Sequence, residues 1–174
     1  MVGLLLGVLL LLGACTETYG PEDFNEAGVR FMQGMAVHHA QGVEMAQLVE
    51  DRAANNDLRE LASRIAADQQ REIATMERML GQADAAPAHD MGHQMMPGMM
   101  SEQAMAELSS LSGPEFDLRF TEMMTAHHQG AIDMSQQVLQ EGENPQVINL
   151  AQHIIQAQGS EIAQMTRWRQ AWTS

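Results

Sequence analysis

The chain has 174 residues, long enough for one domain with a substantial core and short for two. Its 23 acidic residues against 9 basic ones, every one of them Arg, give a net charge of -14. That sign excludes nucleic acid, whose phosphates need a basic face, and docking on anionic lipid headgroups.

The first predicted element is an apolar run from Val2 to Leu12, followed by Gly13-Ala14-Cys15. It is too short to span a bilayer and suits the core of a signal peptide. Leu12-Gly13-Ala14-Cys15 is similar to a bacterial lipobox, which would make Cys15 the lipidated first residue of the mature chain. No Lys or Arg precedes the run, a departure that a misplaced start codon would explain; the competing reading is a buried N-terminal helix. Cys15 is the only Cys, so no internal disulfide can form. The expected organisation is a signal peptide over 1–14, a tether over 15–21 and a four-helix bundle over 22–174.

Four long helices are expected within that bundle, and no segment alternates like a strand. The first should start near Pro21–Phe24 and run to about Asp51; Asn55-Asn56-Asp57 offers a turn and N-cap for the second, which Gly81 should end. Ser112-Gly113-Pro114-Glu115 reads as a capping box opening the third, ended by Gly142, and Asn144-Pro145 caps and opens the fourth. These give hairpins over 22–81 and 112–172, joined by a linker over 82–111 with a short helix from Ser101. One long crossover between helices two and three is the ferritin-like arrangement of a bundle.

The two hairpins are copies. A shift of 89 residues aligns 31–80 with 120–169 without a gap, matching Phe31/Phe120, Met35/Met124, His38/His127, His39/His128, Met45/Met134, Gln69/Gln158, Glu72/Glu161 and Met76/Met165. On the first helix Phe31, Met35, His38, Gly42, Met45 and Val49 share one stripe, so His38, and His127 in the copy, should face inward, with His39 and His128 on the flank, facing a neighbouring helix or the rim. Glu72 and Glu161 interrupt otherwise apolar stripes, and a lone buried carboxylate costs several kcal/mol, so each needs a partner. Hairpin geometry nominates His38 for Glu72 and His127 for Glu161, and gathers Met, His, His, Gln, Glu and Met of each half at one level of the core. The competing reading is a buried polar layer, in which His donates to Glu to fix register and Met is filler, and a single His–Glu pair would favour it; doubled His framed by Met, written twice, favours metal.

The linker carries His89, Met91, His93, Met95, Met96, Met99 and Met100, and Gly92, Pro97 and Gly98 make it a loop rather than core. Thioethers are soft ligands that suit Cu(I) and Ag(I), while imidazole accepts copper in either oxidation state. Mixed Met and His without thiolate therefore fit copper outside the cytoplasm. A disordered tether, or a Met-rich surface for an apolar helix, are the competing readings of this tract.

Phe-x3-Met-x2-His-His, followed by Glu44-Met45 or Asp133-Met134 and then Gln-x2-Glu-Ile-x2-Met, resembles the bacterial "domain of unknown function 305" family over about 22–172, in both copies. The resemblance implies a ferritin-like four-helix fold and envelope proteins that bind copper and silver. Carried onto this chain, it implies metal contacts from Met35, His38, His39, Met45 and Met76, and from Met124, His127, His128, Met134 and Met165. Glu72 and Glu161 would orient the His through the far ring nitrogen, or ligate directly.

The expected function is therefore a lipid-anchored envelope protein that buffers copper, confers tolerance or delivers it to other copper carriers or exporters, with no catalytic step. A ferritin-like di-metal oxidase is the enzyme alternative. Such sites use about four Glu and two Glu-x-x-His motifs, whereas this chain has no Glu-x-x-His and one stripe Glu per half. A structural or partner-binding bundle is the third reading.

Overall fold

The structure, a computed structural model, describes residues 19–87 and 96–174. Those residues are all-α: a 3-10 turn at Pro21–Asp23, then α1 (Glu26–Gln47), α2 (Val49–Arg52), α3 (Asn56–Gln82), α4 (Glu102–Ser110), α5 (Gly113–Glu141) and α6 (Pro145–Trp172). No strand occurs among the described residues; Ala53 and Gly113 form one isolated bridge. No described helix is long and apolar enough to cross a membrane. Cys15 and the apolar leader lie outside the described residues.

Local chemistry explains most boundaries. Asn25, not the Pro21 region, caps α1: its Oδ1 accepts from Gly28 N at 3.0 Å, and Pro21–Asp23 stays a separate turn. Asn55 caps α3 and Asn144 caps α6, each accepting two backbone N–H bonds, and Ser101 caps α4. The capping box expected at Ser112 does not form. Gly113 enters α5 at φ +67°, a left-handed start, and the Ser112 side chain accepts no helix N–H.

Helices α1 and α3 form one hairpin, α5 and α6 the other, and the hairpins meet mainly through α1 and α5. These two run antiparallel. Asn25 Nδ2 donates to Glu141 O at 2.7 Å at one end; Asp117 accepts from Ala54 N and Asn55 N, both at 3.0 Å, at the other. Two apolar clusters fill the interior. One holds Phe31, Met32, Met35, Met76 and Met79, with Met134 packed against it; the other holds Met45, Leu58, Ile65, Phe120, Met123, Met124 and Met165. A fully buried Leu, Ile, Phe or Met is worth about 1.5–3 kcal/mol.

The Met pairs expected to meet across each hairpin do so: Met35 and Met76 share one cluster, and Met124 and Met165 the other. Met45 joins Met124 and Met165, and Met134 packs with Met35 and Met76. The reason is helical rise, since ten residues along a helix cover about 15 Å. Met35 and Met45 therefore fall on opposite sides of His38, and the antiparallel pairing of α1 with α5 mixes the halves.

Candidate metal centre

A belt of polar side chains crosses the core where α1 passes α5. His38, His39, His127 and His128 are all completely buried, so of the two flank positions open to His39 and His128 the one facing a neighbouring helix is taken and the rim is not. A helix with two neighbours buries a wider arc than a single seam, and consecutive residues then both point inward. His38 meets the opposite hairpin: its ring lies 3.9 Å, centroid to centroid, from that of His127. His39 instead meets α3, where its Nε2 lies 2.7 Å from Glu72 Oε2; His128 Nε2 sits likewise 2.8 Å from Glu161 Oε2. The carboxylates do have histidine partners, but they are His39 and His128 rather than His38 and His127.

The hydrogen bonds of His38 and His127, the axial pair where α1 passes α5, fix their tautomers. His38 Nε2 donates to Pro97 O and His127 Nε2 to His38 O, each at 3.0 Å. A carbonyl oxygen only accepts, so Nε2 carries the proton in both rings. Burial first, then the neighbouring His39, lowers the His38 pKa from 6.5 to about 3. His127 is also held well below 6.5, by burial first and then by His38 and His128. Both are neutral near pH 7, and Nδ1 of each is a bare lone pair. The Glu72 and Glu161 carboxylates select the same tautomer in His39 and His128. All four Nδ1 atoms are buried with no hydrogen-bond partner, as are both amide atoms of Gln69 and Gln158. An unsatisfied buried polar atom costs about 1–3 kcal/mol. Four lone pairs of one kind in one belt are what a coordinating cation would satisfy, so the donor set fits a metal. Among the described residues no three His, Cys, Asp or Glu side chains converge into a site by themselves.

The linker reaches this belt. Residues 88–95, and with them His89, Met91, His93 and Met95, lie outside the described residues. Met96 to Met100 do not form the exposed loop expected: Met96, Met99 and Met100 are half-buried. Pro97-Gly98 makes a tight turn, with Met99 N donating to Met96 O at 3.3 Å and Gly98 at φ +77°. Gln41 clamps this strap to α1, its Nε2 donating to Met100 O at 2.9 Å and its Oε1 accepting from Met100 N at 2.7 Å. Gly130 admits the strap on α5, since a methyl group there would overlap the Pro97 carbonyl. A Cβ placed on Gly34 would lie 3.3 Å from Met134 Cε and 3.5 Å from Met96 Sδ, so this glycine makes room for two thioether side chains one turn before His38.

Sequence reasoning missed Gln41, Gly130, the Pro97 carbonyl and His153. His153 Nε2 lies 3.7 Å from Glu72 Oε1. A polar position beside the Glu stripe was the one available signal for it. Gln41 and Gly130 carry a different signal, because they occupy equivalent positions of the repeat and differ.

Comparison with known proteins agrees with this architecture. No protein of curated function matches the chain by sequence. A DUF305 fragment from Deinococcus radiodurans is 32% identical with a TM-score of 0.79, covering 85% of this chain and 98% of its own. A DUF305 protein from Streptomyces coelicolor, described as secreted, is 29% identical with a TM-score of 0.77, covering 85% and 94%. CopM, whose structure is known in its Cu(I)-bound form, is 28% identical with a TM-score of 0.73, covering 84% and 98%. CopM is also known in Cu(II)- and Ag-bound forms. The model of the family "Domain of unknown function (DUF305)" matches residues 28–169, and the chain belongs to that family.

Proposed function

We propose that this protein binds copper in the cell envelope, Cu(I) foremost and Cu(II) and Ag(I) as well, and buffers it or hands it to another carrier. The observation that carries the reading is the belt of four buried imidazoles, each with Nδ1 unpartnered. Copper- and silver-bound CopM, a relative of similar fold, supports the choice of metal. His38, His39, His127 and His128 supply nitrogen. Met35, Met76 and Met134 on one side of the belt, and Met45, Met124 and Met165 on the other, supply thioether sulfur. Glu72 and Glu161 orient His39 and His128. His89, Met91, His93, Met95, Met96, Met99 and Met100 collect metal at the linker and pass it inward. Cys15 anchors the protein through lipid, and the secreted Streptomyces relative supports a place outside the cytoplasm. We read the paired hairpins as a ferritin-like bundle that carries metal without catalysing a reaction.

Thermal melts with and without Ag(I) test this. Metal that binds the folded form raises the melting temperature. Replacing His38 and His127 by Gln should weaken binding at least about tenfold, or about 1.4 kcal/mol, and remove most of the Ag(I)-induced rise. An equal rise in both proteins would overturn the ligand assignment.

A further inference from the structure

The two carboxylates of the belt differ in what lies outside them. Glu72 is held between two imidazoles: Oε2 is 2.7 Å from buried His39 Nε2, and Oε1 is 3.7 Å from His153 Nε2. His153 is on α6 with its side chain 67% exposed, while the Glu72 side chain is 11% exposed and that of His39 is fully buried. These three residues form a line of polar side chains from solvent to the belt, with ligand lone pairs on His153 and Glu72 at its outer end. A separation of 3.7 Å is too long for a hydrogen bond, so the His153 imidazole is not committed to Glu72.

The repeat supplies an internal control. Shifting His153 back by 89 residues gives Arg64, and Glu161 is the counterpart of Glu72. By the repeat, Arg64 is to Glu161 what His153 is to Glu72. A guanidinium has no lone pair to offer a metal and is always charged. One carboxylate is therefore flanked at the surface by a ligand, and its twin is matched in the repeat by a permanent cation.

We propose that His153 and Glu72 form a surface port that first holds an incoming copper or silver ion and passes it inward past Glu72, and that the equivalent place beside Glu161 is closed by Arg64. This deepens the copper-binding reading and rests on it. Two donors bind weakly, which suits a transit site rather than a store. The step is ligand exchange with no change of oxidation state: the ion leaves solvent ligands for imidazole and carboxylate, then exchanges those for the buried imidazoles and thioethers.

Stopped-flow transfer of Cu(I) from a coloured chelator complex tests the port. His153→Arg copies the closed half and His153→Gln removes the ligand without adding charge; both alter an exposed side chain. Each should slow uptake at least about fivefold while leaving capacity and equilibrium affinity unchanged, as changes at a rim do. Arg64→His should open a second port and speed uptake about twofold, on the same rim reasoning. Rates within about twofold of wild type in both His153 variants, or slowing by His153→Arg alone, would overturn the port, the latter because charge alone would explain it. A parallel fall in affinity would also overturn it, making His153 a permanent ligand. If the wild-type protein takes up no copper, the copper-binding reading itself fails.

Discussion

The two halves of the molecule are alike where the belt is built and unlike where the belt is covered and reached. His-His, the Met framing, Gln and Glu recur at equivalent places. Gln41 against Gly130, Gly42 against Ala131 and Arg64 against His153 do not. The strap exploits the first difference, bonding to Gln41 in one half and lying on Gly130 in the other. It also breaks the symmetry of the axial pair. His127 donates to the His38 carbonyl, whereas His38 donates to Pro97 instead of returning the bond. Duplication produced a symmetric set of donors, and divergence at a few outer positions gave that set one covered side.

The strongest way to break this asymmetry is Gly130→Ala. The added methyl would overlap the Pro97 carbonyl, a backbone group in a turn that cannot simply rotate away. Displacing the strap leaves His38 Nε2–H without its acceptor, which costs about 1–3 kcal/mol. Better helix propensity returns about 1 kcal/mol, and lost burial under the strap adds to the cost. A net loss of about 2 kcal/mol is expected, or about 4–8 °C in melting temperature for a domain of this size. Gly42→Ala copies Ala131 and should behave differently. Its methyl meets only the far end of Gln69, a flexible side chain with no hydrogen bond to lose. It should stay within about 1 kcal/mol of wild type, the helix-propensity gain offsetting the shift of Gln69. Urea midpoints at unchanged m-value measure both, and equal losses would show that the strap adds nothing at Gly130.

The repeat made much of this legible. Helix caps at Asn55 and Asn144, the short helix from Ser101 and the need of Glu72 and Glu161 for histidine partners all follow from local chemistry or from the cost of burying charge. Which histidine answers which carboxylate does not follow. A single stripe assumes one neighbour, and α1 has two, so His38 and His39 divide between α5 and α3. The strap was also hidden. Pro97-Gly98 announces a turn in any context, and Gly130 inside a helix announces only a close approach to something. Their meeting depends on how the hairpins dock, a long-range fact that no local pattern contains. His153 was missed because an exposed histidine carries no burial cost.

Acid should sharpen the contrast between the axial rings. In the metal-free protein, His38 resists protonation down to about 3, and His127 is depressed in the same direction. The unfolded chain takes up protons near the ordinary value of 6.5, so below that pH the unfolded state binds more protons than the folded one. Stability is therefore full above 6.5 and falls as pH drops toward the folded value. Well below 6.5 the slope is about 1.4 kcal/mol per pH unit for each depressed ring. Urea unfolding of chelator-treated protein between pH 7.5 and 5 should show it. Either His38→Gln or His127→Gln should flatten the curve by about one ring's share. Flattening by His127→Gln alone would mean that the strap leaves His38 open to protonation.

The smallest effects are expected at the two ends of the α1–α5 pair, which unrelated residues clasp. Asn25 joins α1 to the Glu141 carbonyl while capping its own helix through Gly28 N. Asp117 holds the backbone N–H groups of Ala54 and Asn55; burial raises its pKa, against the pull of those two bonds. Asp117→Asn keeps one acceptor oxygen but turns an amide N–H₂ toward the other donor, losing one bond at about 1 kcal/mol. Asn25→Ala removes the cap and the clasp, at about 1 kcal/mol as well. Helix α1 has 22 residues, and at 1.5 Å per residue the two clasps stand about 30 Å apart. Sites so separated act independently, so the double variant should lose the sum of the single losses to within about 0.5 kcal/mol. A larger deviation would mean that the ends communicate through the histidine belt. In that case, filling the belt with Ag(I) should change the coupling measured between Asn25 and Asp117.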